Sequence, residues 1–157
     1  MKFVVISDSH GNIANLKHVL GFAKKIKAKA IIHCGDWDNL LAAETLTGSG
    51  VDIYTILGNA DIDPELVKKL KLKSKKFDEK FLKIEIGGRK IGIVHNMRDL
   101  TSNPQSLDIL FCGHLHNQQK TIINGVKVVN PGALEHNISF AVYDTDPNNI
   151  KFFGIEK

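Results

Sequence analysis

Lys2-Phe3-Val4-Val5-Ile6-Ser7-Asp8-Ser9-His10-Gly11-Asn12 is the stretch on which the fold turns. Lys2 to Ser7 carries an apolar, β-branched run and reads as a buried strand. Asp8, Ser9, His10 and Gly11 then form a loop. Asn12 is placed to cap a helix whose apolar residues Ile13, Leu16, Leu20, Ala23 and Ile26 recur at helical spacing. The cycle repeats twice. Ala30-Ile31-Ile32-His33 is a second short buried strand, ending at Gly35-Asp36. A helix through Leu40, Leu41, Ala43 and Leu46 stops at Gly48 and Gly50, and Val51 to Leu57 is a third strand, ending at Gly58-Asn59. This βαβαβ order implies parallel strands joined by right-handed crossovers.

Beyond a short helix over Pro64 to Leu70, the rest of the chain reads as strand. Phe81 to Ile86 and Lys90 to His95 form a hairpin about Gly87-Gly88. Leu107 to Cys112 is another buried strand. Gln119 to Ile123 and Val126 to Val129 flank Asn124-Gly125, the strongest short turn signal in the chain. Ser139 to Thr145 and Ile150 to Ile155 flank Asp146-Pro147-Asn148-Asn149. No repeat, low-complexity tract or linker interrupts the pattern. Two packed sheets flanked by helices follow from it.

A length of 157 residues fits one domain, 1–157, large enough to bury a core without disulfides. No apolar stretch approaches the roughly 18 residues a membrane span needs, and no signal peptide is evident. The cytoplasm is the default location. Cys34 and Cys112 read as small apolar strand residues in a reducing compartment, ahead of a disulfide or a thiolate ligand. The net charge of +4 mildly favours anionic partners. Much of it lies in Lys68-Lys69-Leu70-Lys71-Leu72-Lys73-Ser74-Lys75-Lys76, either a phosphate or nucleic-acid patch or, the preferred reading, a solvated helix end and loop.

What ends each apolar run points to chemistry. Asp8 and His10 follow the first, Asp36 the second and Asn59 the third. His95 ends the strand from Lys90, and His114 and His116 follow the strand from Leu107. Ligands of open α/β sheets bind outside the carboxyl ends of strands, so five strand ends deliver metal-capable side chains to one edge. Gly11, Gly35, Gly58 and Gly113 accompany four of them, where the backbone must turn sharply or approach a ligand. Imidazole, carboxylate and amide oxygen suit manganese, iron, zinc or nickel better than calcium or magnesium. Seven ligands exceed one tetrahedral site, so two ions are the economical reading, with Asp36, alone at its strand end, as the natural bridge. Each fragment alone is ordinary: Asp-Ser, Gly-Asp and Gly-Asn are common cap and turn pairs, and a lone His95 is a common strand-end residue. The ordered set is what points to a metal centre.

In order, Asp8-Ser9-His10, Gly35-Asp36, Gly58-Asn59-Ala60-Asp61, His95 and Gly113-His114-Leu115-His116 resemble the signature of the calcineurin-like metallophosphoesterases. The resemblance spans Asp8 to Asn130-Pro131-Gly132. The short length and the Asn-Pro-Gly loop are most similar to the small prokaryotic YfcE-type phosphodiesterases. It implies an α/β fold, a four-layer αββα sandwich of two mixed β-sheets flanked by helices. It implies one ion on Asp8, His10, Asp36 and His116, and a second on Asp36, Asn59, His95 and His114, manganese foremost, with nickel, iron, zinc or magnesium as alternatives. Two positions depart from the pattern. Ala60 stands where many relatives have the histidine taken as leaving-group acid, and Asn96-Met97 follows His95 where many have glycine and histidine.

The expected reaction is phosphodiester hydrolysis by a hydroxide bridging the two ions, on a small phosphodiester. With Ala60 in place, protonation of the leaving group falls to water or another residue. Asp61 can orient a metal ligand from behind or cap the helix before Pro64. Arg98 can contact a phosphate oxygen or stand solvated in its loop, and His136 lies within reach in sequence but carries no assigned role. Two rivals remain. The lysine run suggests a nuclease on single strands, against which stands the 7% aromatic content, too little for an evident stacking platform. A non-enzymatic protein-binding scaffold tends to lose ligands, whereas all seven positions here carry competent ones.

Overall fold

The computed structural model describes residues 1–100 and 103–155. Eleven strands and three α-helices succeed one another as β1 (Lys2–Ile6), α1 (Ile13–Lys25), β2 (Ala30–His33), α2 (Leu40–Thr47), β3 (Asp52–Ile56), α3 (Pro64–Lys73), β4 (Lys76–Asp78), β5 (Phe81–Ile86), β6 (Arg89–Val94), β7 (Ile109–Phe111), β8 (Gln118–Ile123), β9 (Val126–Pro131), β10 (Ile138–Asp144) and β11 (Asn149–Ile155). The first sheet runs β11-β10-β1-β2-β3-β4 and the second β5-β6-β7-β9-β8. Both are mixed. β1, β2, β3 and β4 are parallel, with β10 antiparallel to β1. In the second sheet β6, β7 and β9 are parallel between antiparallel outer strands.

Side-chain alternation along each strand sorts the layers. Phe3, Val5, Ile32, Tyr54 and Ile56 of the first sheet meet Ile91, Ile93, Ile109, Phe111 and Val129 of the second. Phe111 and Tyr143 cross this interface edge to face, ring centres 5.5 Å apart. Each such side chain contributes about 1.5–3 kcal/mol when fully buried. The other face of the first sheet, through Val4, Ile6, Ile31 and Ile53, is covered by Leu16, Val19, Leu46, Leu66 and Leu70 of the three helices. The outer face of the second sheet packs Val94, Leu110, Val126 and Val128 beneath Leu107, Met97 and Leu100. Among the described residues its covering layer is thin, with the 3-10 turns Met97–Asp99 and Pro104–Ser106 as its regular elements.

Local signals explain the element ends. Asn12 and Asn39 cap α1 and α2 by accepting from the N–H groups of Asn15 and Ala42. Asp63 caps α3, with Pro64 in its first turn. That helix runs three residues past Leu70, to Lys73, and Lys76–Asp78 is an edge strand paired with β3. So the lysine run is the end of α3 and the short bend at Ser74 and Lys75, as expected, with Lys76 opening an edge strand that the sequence did not suggest. The run's alternation of lysine with Leu70 and Leu72 conceals the boundary. No described helix is long and apolar enough to cross a membrane.

Candidate metal centre

The carboxyl ends of β1, β2 and β3 form one rim of the centre. Asp8 N donates to Gly35 O at 3.0 Å, His10 N to Asp36 O at 3.0 Å and Gly11 N to Trp37 O at 2.9 Å, so the first two loops continue the ladder of their strands. Asp8, His10, Asp36 and Asp38 all adopt positive φ, at 51°, 42°, 64° and 74°. Outside glycine that conformation costs about 1–2 kcal/mol per residue, and such strain persists where the surroundings impose it. At Asp36 and Asp38 Asp61 imposes it. Its buried carboxylate accepts from the backbone N–H of Asp36 (2.9 Å), Trp37 (2.8 Å), Asp38 (2.9 Å) and Gly58 (2.8 Å). Asp61 therefore ties the loop after β2 to the loop after β3, and the cap of α3 is Asp63. Gly58 is required by this closeness, since a Cβ there would meet Asp36 Cγ at 2.8 Å.

Beneath this rim His33 is fully buried and stacks on Trp37 with ring centres 3.8 Å apart. Gly35 N donates to its Nδ1 at 3.1 Å, so Nε2 carries the proton and donates to Ser9 Oγ at 2.9 Å. Burial lowers its pKa to about 3, keeping the ring neutral.

The second sheet supplies the facing rim. His95 follows β6 and is buried. Gly113 N donates to His95 O at 3.0 Å, and Asn130 holds the following loop by donating from Nδ2 to Gly113 O at 3.0 Å. His114 and His116 leave this loop at positive φ, 73° and 60°. His114 N donates to Asp8 Oδ2 at 3.0 Å. A Cβ at Gly113 would stand 2.8 Å from that same oxygen, so only glycine lets the rims meet here.

All seven side chains singled out in the sequence converge. His116 Nε2, His10 Nε2 and His95 Nε2 lie 3.2, 3.7 and 3.9 Å from Asp8 Oδ1. Asp36 Oδ2 lies 3.2 Å from His95 Nε2 and 3.5 Å from His10 Nε2. Asn59 Oδ1 lies 2.9 Å from His95 Nε2 and 3.2 Å from His114 Nδ1. His95 Nδ1 donates to the Cys34 carbonyl at 2.8 Å, and His10 Nδ1 faces the Asp38 carboxylate at 3.0 Å. Both partners only accept, so these Nδ1 atoms carry a proton, and each Nε2 faces carboxylate oxygens with a lone pair when the ring is neutral and a second proton when it is charged. Acceptor facing acceptor is stable only with a proton or a cation between. Asp8 Oδ1 is buried and accepts no hydrogen bond, a deficit of about 1–3 kcal/mol that a cation removes. Asp8, His10 and His116 form one group able to hold a metal ion, and Asp8, Asp36 and His95 another.

The charges agree. Burial pushes the Asp8 carboxyl above the ordinary range, against the opposing effects of Ser7, His95, the His114 N–H and His116. Burial acts the same way on Asp36, but the hydrogen bond with His95, the Ala60 N–H and the charges of His95 and His10 prevail and hold it well below that range. Burial lowers the pKa of His10 and of His95, yet Asp38 at the first and Asp36 at the second outweigh it, so both are raised. Burial pushes the Cys34 thiol well up and Cys112 to about 12. Both are free, neutral thiols.

A cleft of about 420 Å³ opens beside Asn59, His95 and His114, walled by Leu57, Lys80, Asn96, Arg98 and Asp99 among others. Arg98 thus stands at the site. Lys80, in the turn between β4 and β5, carried no sequence signal. His136 is 83% exposed in its side chain and lies 3.7 Å from Glu135, bordering a hollow of about 140 Å³ beside His116. Lys68, Lys69 and Lys73 of α3 border other hollows that share no residue with the cleft, and Lys69 and Lys75 pair with Glu44 and Asp52. Asp38, His33 and Asn130 were missed. Asp38 could have been noticed as a second acidic residue two after Asp36.

The chain belongs to the calcineurin-like phosphoesterase superfamily, whose domain pattern matches residues 1–148. It is a hydrolase of the metallophosphoesterase type, in a family that is metal-dependent. Phosphodiesterase MJ0936 of Methanocaldococcus jannaschii is 25% identical over 138 residues, covering 84% of this chain and 83% of that protein. The structure of an archaeal phosphodiesterase superposes with a TM-score of 0.82 at 22% identity, over 99% of this chain and 100% of that one. The E. coli phosphoesterase YfcE does so at 0.74 and 17%, with coverage of 99% and 100%.

Proposed function

We propose that the protein is a phosphodiesterase working with two divalent ions, one held by Asp8, His10, Asp36 and His116 and the other by Asp36, Asn59, His95 and His114. The observation that carries this is the buried, unpartnered Asp8 Oδ1 facing three imidazole Nε2 atoms. Asp36 suits the shared position, since one of its oxygens faces His10 and His95 alike while the other is held by the Ala60 N–H at 2.9 Å. The mixed imidazole, carboxylate and amide donors favour manganese, with nickel, iron, zinc or magnesium as alternatives. Bound there, such ions supply Lewis acidity, making water acidic and neutralising phosphoryl charge.

The chain's own residues orient the substrate. Arg98 and Lys80 put two cations beside the cleft, where an anionic diester enters. Among the described residues the cleft lining includes no Phe, Tyr or Trp, so a nucleobase has no broad stacking platform there. A small polar phosphodiester fits better than single-stranded nucleic acid. Ala60 supplies no proton, so diesters with good leaving groups are expected to turn over faster than alkyl monoesters. The two buried free thiols suit a reducing compartment such as the cytoplasm.

Hydrolysis of bis(p-nitrophenyl) phosphate by chelator-stripped protein, with and without Mn²⁺, tests the assignment. Turnover should require metal and fall by about a thousandfold or more in Asp36→Asn. Absence of turnover with any divalent ion would point to a protein-binding scaffold instead, and faster turnover of an alkyl monoester would overturn the diester preference.

A further inference from the structure

We propose that Asp38 is a positioning residue, holding the His10 imidazole so that Nε2 faces the cation position. This rests on the metal centre proposed above. His10 Nδ1 lies 3.0 Å from Asp38 Oδ1 and 3.1 Å from Oδ2, in reach of both oxygens of one carboxylate. A carboxylate only accepts, so it fixes the proton on Nδ1 and the lone pair on Nε2. On that side His10 Nε2 stands 3.5 Å from Asp36 Oδ2 and 3.4 Å from His116 Nε2. Reversing the ring would turn a proton toward those groups and withdraw the donor atom.

Packing does not do this for His10 as it does for His95. The His10 side chain is 16% exposed against 3% for His95, whose Nδ1 is held by a buried backbone carbonyl. Asp38 in turn is held at φ 74° by its own N–H on Asp61 Oδ1. Asp61 therefore sets Asp36 and Asp38 together, one carboxylate toward the cation and the other toward the imidazole beside it.

The experiment compares Asp38→Gly and Asp38→Asn with the parent protein. Glycine tolerates the positive φ and removes the carboxylate; asparagine tolerates it and keeps a neutral acceptor. Calorimetric titration of chelator-stripped protein with Mn²⁺ is expected to show two binding steps. In Asp38→Gly one step should weaken about tenfold to a hundredfold and the other stay within about twofold, with Asp38→Asn in between. Nitrogen-15 shifts of His10 in the zinc-loaded protein should report a protonated Nδ1 in the parent and a loss of that signature in Asp38→Gly. Unchanged steps in Asp38→Gly, or both steps falling together with the melting temperature, would overturn the role of Asp38. A parent protein that takes up no divalent ion would overturn the metal centre itself, an outcome distinct from two intact steps in the variant.

Discussion

The two rims of the centre reach the same geometry by different means. The first-sheet rim is laced backbone to backbone between its loops, and the loop from Asp36 to Asp38 hangs on one carboxylate, Asp61. The second-sheet rim has one buried imidazole, His95, and one exposed loop carrying His114 and His116. That loop is held by Asn130 and by Asp8 of the opposite rim. Disturbing the first rim should therefore damage fold and metal binding together, and disturbing the second should separate them.

Asp61→Ala would press this contrast hardest. It leaves four N–H groups without their acceptor, and a loss of about 3–5 kcal/mol is expected from urea unfolding of the metal-free protein. Manganese uptake should fall at both steps, because Asp36 moves with its loop. A stable variant with normal uptake would break the comparison at its base. Asn130→Ala removes the bonds to Gly113 O and from Gly132 N. It should cost about 1–2 kcal/mol and lower metal affinity by no more than about tenfold. If it proves as damaging as Asp61→Ala, the second rim is as constrained as the first.

The smallest effect sharpens the comparison from beneath. His33 supports only the first rim, and its pKa is lowered from 6.5 to about 3. In the folded protein it stays neutral while the unfolded chain takes up a proton. Its contribution is therefore fully present above pH 6.5 and is lost as pH falls toward 3, with a slope of up to about 1.4 kcal/mol per pH unit. Urea midpoints of metal-free protein from pH 7 to 4 should fall more steeply for the parent than for His33→Gln. Parallel lines would show that His33 does not couple this rim to pH.

The seven converging residues were legible because each follows an apolar run, and strand ends of α/β sheets gather at one edge. The three helices and nearly all strands were legible from periodicity and from caps such as Asn12. β4 was not, because three residues among lysines carry no readable alternation. Asp61 stayed open between two roles, since an aspartate shortly before a proline fits a cap as well as an anchor.

The sequence by itself determined the order of elements, their parallel core and the chemistry of the side chains at their ends, all of which follow from local pattern. Only the tertiary structure decided how those side chains are held. Left-handed backbone at Asp8, His10, Asp36, His114 and His116 is sustained by partners distant in the chain: the Gly35 and Asp36 carbonyls on Asp8 and His10, Asp61 on the β2 loop and Asn130 on the loop of His114, while Asp38 orients the His10 ring across 28 positions. Such contacts leave no period in the sequence, because the strain at one residue is sustained by hydrogen bonds from another that only folding brings near.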